Sequence, residues 1–208
     1  MNERAVSDQV GERRRTRLAR EERRALLVDA ATRVFDGRDP SDVTFEEIAD
    51  AAGVSRALVY NYFGDRQGLL EAVARRSADQ LDRQVRDALS TTRGRRSALH
   101  EMVRVHVEFA RADPAGYRYA WGTLGAPVVL EIRDKILDEV GRALGGGEDG
   151  RVVATGVLGS LQEMVRHARD DAVEPERAID LITAFLAGGL AALEEVGVKV
   201  TPTWSVPR

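Results

Sequence analysis

The 208-residue chain contains no cysteine, only three histidines, and aromatic residues at 5% of its length. Without a thiol there is no disulfide framework, no thiolate nucleophile and no cysteine metal site. With so few histidines, general-base chemistry would fall to carboxylates. Few aromatics, with glycine and proline sparse inside the long apolar-periodic stretches, favour an all-α protein. No apolar run approaches the ~20 residues of a membrane span. The N-terminus is rich in arginine but also acidic, and has no apolar signal-peptide core. A soluble, cytoplasmic protein with no membrane partner is expected. No phosphate loop, HExxH or nucleophile elbow is present. Glu163 and His167 stand at i, i+4 spacing, but two groups make a poor metal site and read as an ordinary polar pair. No catalytic residue, metal or cofactor is expected.

What is present concentrates in residues 44–70, TFEEIADAAGVSRALVYNYFGDRQGLL. Thr44 followed by Glu47 is a capping box, with Val43 and Ile48 placed as a hydrophobic staple. Phe45, Ile48, Ala49 and Ala52 form one apolar stripe at helical spacing. Gly53 suits the left-handed position beyond a helix end. Ser55 caps the next helix, with Val54 and Val59 as a second staple. Gly64 stops that helix and Asp65 is placed to cap a third. The pattern is a helix-turn-helix.

The second helix, residues 55–63, has an outer face of Arg56, Ala57, Tyr60 and Asn61. Leu58, Val59, Phe63 and part of Tyr62 turn inward. A guanidinium can bond guanine edges in bidentate fashion, an alanine methyl can meet a thymine methyl, and an asparagine can pair with adenine. Hydroxyls of tyrosine and serine, with backbone N–H groups at the helix start, can hold phosphates. The alternative is a helical corner with a solvated polar face, which exposed tyrosines make the poorer description.

Thr44, Ile48-Ala49, Ala52-Gly53-Val54-Ser55, Tyr60, Tyr62-Phe63, Arg66 and Leu69-Leu70 together resemble the DNA-binding signature of the TetR family of transcriptional regulators. With the preceding helix, the resemblance covers about a quarter of the chain. Ala57 stands where glycine is common in the family, and Arg66 replaces the usual lysine while keeping its charge. Gly68 weakens the first turn of the next helix, where a better helix former would be expected. The DNA-binding set implied is Thr44, Ser55, Arg56, Ala57, Tyr60, Asn61, Tyr62 and Arg66.

The net charge of −3 hides an uneven distribution. Residues 13–24, RRRTRLAREERR, hold seven arginines against two glutamates. A basic arm before a helix-turn-helix can follow phosphates or enter a minor groove. A flexible basic arm is expected over residues 1–18, the helix-turn-helix domain over 19–66 (motif 44–63), and a helical ligand-binding and dimerisation domain over 67–208. The first helix should start near Arg20, bury Leu27, Ala30, Ala31, Val34 and Phe35, and close at Gly37 and Asp39-Pro40. A long helix from Asp65 to about Leu89 belongs to both domains; in the family its tilt sets the spacing of two reading heads.

The C-terminal portion is poorer in motifs. Met102, His106, Phe109, Tyr117 and Trp121 form the best candidate for an effector pocket, since such cavities combine apolar walls with a few polar groups; an ordinary core is the competing description. Residues 151–169 carry Val153, Gly156, Val157, Ser160, Leu161, Met164, Val165 and Ala168 on one broad face, with Val152 and Leu158 beside it. Residues 178–197, AIDLITAFLAGGLAALEEVG, are apolar nearly all round, which requires burial on both sides. The expected second cover is a partner subunit, through Val157, Leu161, Val165, Phe185 and Gly189. A helix covered wholly within one protomer is the alternative.

The sequence thus points to an all-α, homodimeric regulator that binds double-stranded operator DNA, acting as a repressor released by an unknown small-molecule effector. Two rivals remain: an architectural DNA-binding protein without effector, and a small helical enzyme retaining a helix-turn-helix corner.

Overall fold

The computed structural model describes residues 3–35, 38, 42–121, 127–168 and 173–198. Its described residues form nine α-helices and no strand: α1 (Glu3–Phe35), α2 (Phe45–Ala52), α3 (Arg56–Phe63), α4 (Arg66–Ser90), α5 (Arg95–Ala112), α6 (Pro114–Trp121), α7 (Pro127–Ala143), α8 (Gly147–Ala168) and α9 (Pro175–Glu195). Two compact units divide between Val73 and Ala74. The boundary expected at residue 66 moves into α4 because its first turns belong to the first core: Leu69, Ala72 and Val73 are all buried.

In the first unit, α2 packs against both α1 and α3. Leu27, Val28, Ala30, Ala31 and Phe35 of α1 meet a core that also holds Val43, Phe45, Ile48, Ala49, Val59 and Phe63. Val28 is buried where the periodicity favoured Val34, which is only half-buried. Helix α1 starts at Glu3, not near Arg20. Its first turns have no apolar stripe to announce them, yet Glu, Ala and Arg are good helix formers, no proline intervenes, and propensity alone is satisfied. Residues 37, 39 and 40, expected to close α1, lie outside the described residues.

In the second unit, α5 packs against α6, α8 and α9, while α7 and α8 form a close antiparallel pair. Gly145, Gly146 and Gly147 turn the chain between them with positive φ. A Cβ on Gly150 would lie 2.3 Å from the Gly141 carbonyl oxygen, so only glycine admits this approach. The buried face of α8 is Gly150, Ala154, Leu158, Leu161, Val165 and Ala168. Of the broad apolar face, Gly156 is exposed, and the buried stripe, which takes in Leu158, lies one step round the helix. An apolar stripe as wide as this one leaves its own centre undetermined, and the neighbours decide it.

Candidate nucleic-acid interface and effector region

The recognition unit is built from its caps. Thr44 Oγ1 accepts from the Glu47 N–H at 3.2 Å, and the Glu47 carboxylate accepts from the Thr44 N–H at 2.7 Å. Arg38 adds a 2.8 Å ion pair to the same carboxylate. The Thr44 backbone bond, then the Arg38 and Thr44 side chains, lower the Glu47 pKa to about 2. Gly53 follows in the left-handed conformation, φ 66°, with its N–H bonded back into α2. Ser55 Oγ accepts from the Leu58 N–H at 3.3 Å and opens α3.

Asp65 caps α4 through Gly68 N–H at 2.8 Å. Gly68 itself is explained by packing: a Cβ there would lie 2.2 Å from the Phe63 carbonyl oxygen. A better helix former, expected from propensity, would collide with the end of α3. Tertiary contact overrides the propensity argument at this residue.

On α3, Arg56, Ala57, Tyr60 and Asn61 are exposed, Tyr62 is half-buried, and Val59 and Phe63 are buried. The Tyr60 ring rests on Phe45 of α2, centroids 4.5 Å apart. Arg56 lies over the Tyr60 ring at 5.4 Å and donates to its hydroxyl at 3.2 Å. The guanidinium is therefore seated on an aromatic platform that is itself fixed to α2. Arg20 and Arg24 of α1 sit over Tyr62 and Phe63 at 5.8 and 5.4 Å. Sequence reasoning missed both cation–π contacts, since they join residues some forty positions apart. Thr44 and Ser55 are exposed at the two helix starts, and Arg66 is half-buried.

In the second unit, Met102, His106, Phe109 and Tyr117 are buried and Trp121 is half-buried. The structure brings their rings together. His106 stands 6.5 Å from Tyr117 and 6.2 Å from Trp121, and Phe109 stands 6.3 Å from Tyr117. His106 Nδ1 lies 2.8 Å from the Met102 carbonyl oxygen. Burial lowers the His106 pKa to about 4 against this bond's opposing effect. Burial likewise raises the Tyr117 phenol. Among the described residues, the buried Tyr117 hydroxyl and Trp121 indole N–H find no hydrogen-bond partner.

Residues 27–73 match the family model described as "Bacterial regulatory proteins, tetR family". Over 194 residues the chain is 31% identical to the HTH-type transcriptional activator FasR of Mycolicibacterium smegmatis, covering 87% of this chain and 89% of that protein. The chain belongs to the TetR family. The fatty acid degradation regulator FadR of Bacillus halodurans shares the fold at TM-score 0.69 and 19% identity, over 80% of this chain and 95% of that one. AibR, in a structure with isovaleryl coenzyme A and operator DNA, does so at TM-score 0.60 and 18% identity, over 79% and 97%. This TetR-family chain is a transcriptional regulator with a helix-turn-helix DNA-binding unit and a helical C-terminal unit.

The expected dimer residues separate into two groups. Leu161 and Val165 are buried in the protomer's own core, and Val157 packs partly against that core. Phe185, by contrast, is 59% exposed, and Gly189 is exposed beside it. Leu181, Phe185, Gly188 and Ala192 form one uncovered stripe on α9, at i, i+4, i+7, i+11. On α8, Val152, Gly156 and Gly159 repeat that spacing and are also exposed. A Cβ on Gly156, Gly159, Gly188 or Gly189 would meet nothing within 4 Å. No close contact within the protomer requires these four glycines. The polar pair of Glu163 and His167 is exposed, with the Glu163 carboxylate engaged by Arg166. Among the described residues no cluster of three ligating side chains occurs, and no helix is long and apolar enough to cross a membrane.

Proposed function

We propose that the protein is a homodimeric, ligand-responsive regulator that binds a near-palindromic operator and is released from it by a small molecule. The observation that carries the DNA reading is the Arg56–Tyr60–Phe45 stack. It presents a guanidinium on a rigid support, at the outer face of a short capped helix. Thr44, Ser55 and Tyr62 would hold phosphates, while Arg56, Ala57, Tyr60 and Asn61 would face base edges. Arg66 would add a phosphate contact, and the arginines of residues 13–24 would strengthen binding without choosing sequence.

Dimerisation is supported by the uncovered apolar stripes on α8 and α9, a surface that solvated helices do not ordinarily leave open. Two such helices per protomer would make a four-helix interface, with glycines permitting close approach. Effector response is supported by the aromatic group around His106, and by the neighbour AibR having been crystallised with both a small ligand and DNA. Transmission would run through α6 and α4. Gly116 of α6 abuts Ser77 of α4 so closely that a Cβ would fall 2.4 Å from the serine oxygen. An effector shifts the equilibrium only as far as its affinities for the two conformations differ.

The test is footprinting of the full chain on the DNA flanking its own gene, at two salt concentrations. A two-fold symmetric protected site that weakens at high salt is expected, and Arg56→Ala should reduce discrimination by roughly 1–3 kcal/mol. Equal affinity for random DNA would defeat the reading in favour of an architectural protein. Because FasR is an activator, positive control is the second reading. Transcription in vitro from a promoter carrying the protected site separates the two signs.

A further inference from the structure

We infer that the effector site selects an uncharged ligand bearing a hydrogen-bond acceptor of the carbonyl type, such as an ester, thioester or ketone, and rejects the corresponding carboxylate. The inference rests on the effector-site reading above and names its ligand chemistry.

Tyr117 and Trp121 stand one helical turn apart on α6, so both project from one face. Their rings flank His106 at 6.5 and 6.2 Å. Each carries a buried donor with no partner among the described residues. Buried polar groups are normally paired, because an unpaired one forfeits its bonds to water. Two orphan donors, carried on rings that both neighbour His106, therefore point to an acceptor supplied from outside the chain. An indole N–H can only donate, and a phenol donates readily.

The charge of that acceptor follows from the neighbours. A backbone carbonyl only accepts, so the contact with Met102 places the His106 proton on Nδ1. Burial keeps the imidazole neutral at pH 7. Of the arginines on α5, Arg95 pairs with Glu194, Arg104 pairs with Glu101 and Glu108, Arg111 donates to the Ala168 carbonyl, and Arg96 is exposed. Tyr117, Trp121 and His106 thus offer dipoles and no positive charge. A carboxylate would exchange its hydration for two neutral donors, which is unfavourable. A neutral carbonyl would satisfy both donors at far smaller desolvation cost. Phe109 and Met102 supply the apolar wall.

The test uses the full chain and two matched series: methyl decanoate, decanoate and decane; and methyl 2-naphthoate, 2-naphthoate and 2-methylnaphthalene. Calorimetry measures binding, and release from the footprinted operator measures response. At least one ester is expected to bind about tenfold tighter than its carboxylate and its hydrocarbon. Tyr117→Phe and Trp121→Phe should each weaken that ester about 3- to 10-fold, the range of one hydrogen bond. In the ligand-free protein Tyr117→Phe should leave Tm unchanged or raise it, since an unpaired hydroxyl is removed. A carboxylate that binds as well as its ester and releases DNA would overturn this inference while leaving the effector site standing. A clear fall in Tm on Tyr117→Phe would also overturn it, by showing that the hydroxyl already has a structural partner. If no member of either series binds or releases DNA, the inference and the effector-site reading fall together.

Discussion

Acid should loosen the C-terminal unit well before it loosens most carboxylate-stabilised folds, and His106 is the reason. Its pKa is lowered from 6.5 to about 4 because the imidazole is fully buried. In the unfolded chain the same ring protonates near 6.5. Between those values the unfolded state binds the proton and the folded state does not, so stability falls as pH drops from 6.5 towards 4. At 1.36 kcal/mol per pKa unit, the full span is worth about 3 kcal/mol. Between pH 7 and pH 5 the loss is about 2 kcal/mol. The measurement is urea unfolding at fixed protein concentration, followed by Trp121 fluorescence with Trp204→Phe as background. Staying above pH 5 keeps the carboxylates out of the titration. His106→Phe is the control: whatever its absolute stability, this part of the pH slope should vanish. A wild-type change below about 0.5 kcal/mol over this window, or an unaltered slope in His106→Phe, would refute the assignment.

Three further outcomes are expected. Gly68→Ala should destabilise the helix-turn-helix unit by on the order of 1–3 kcal/mol, as overpacking does, because its Cβ would meet the Phe63 carbonyl oxygen at 2.2 Å; thermal melting checks this, and a stabilised variant would show that propensity governs instead. Glu47→Gln should remove a component of acid unfolding of the first unit. Its lowered pKa stabilises the fold above about 4.5 and ceases to as pH falls through about 2, so circular dichroism across that range should show a shallower acid limb. Phe185→Asp should shift sedimentation towards monomer and weaken operator binding by the loss of linked half-sites, while leaving the protomer's fold intact, since Phe185 is 59% exposed.

The recognition unit was legible in sequence because its signals are local. Capping boxes, a left-handed glycine and staples act over three or four residues, so Thr44, Glu47, Gly53 and Ser55 announce themselves without reference to the rest of the chain. Residue type and spacing likewise determined the outward face of α3, because a short helix with one apolar side has one way to sit. The same locality explains what was missed. Gly68 is set by an approach of α4 to the end of α3, and the seat of Arg56 depends on Phe45, eleven residues away on another helix. In the second unit nearly every helix is apolar over a wide arc, so the pattern narrows the inward face without choosing it. Neighbouring helices make that choice, and they turned Leu161 and Val165 into the protomer's core while leaving Phe185 and Gly189 uncovered. The sequence by itself determined an all-α regulator with its reading helix. Only tertiary structure decided which donors are stranded around His106, because a hydrogen bond is lost or kept by three-dimensional surroundings that no local spacing encodes.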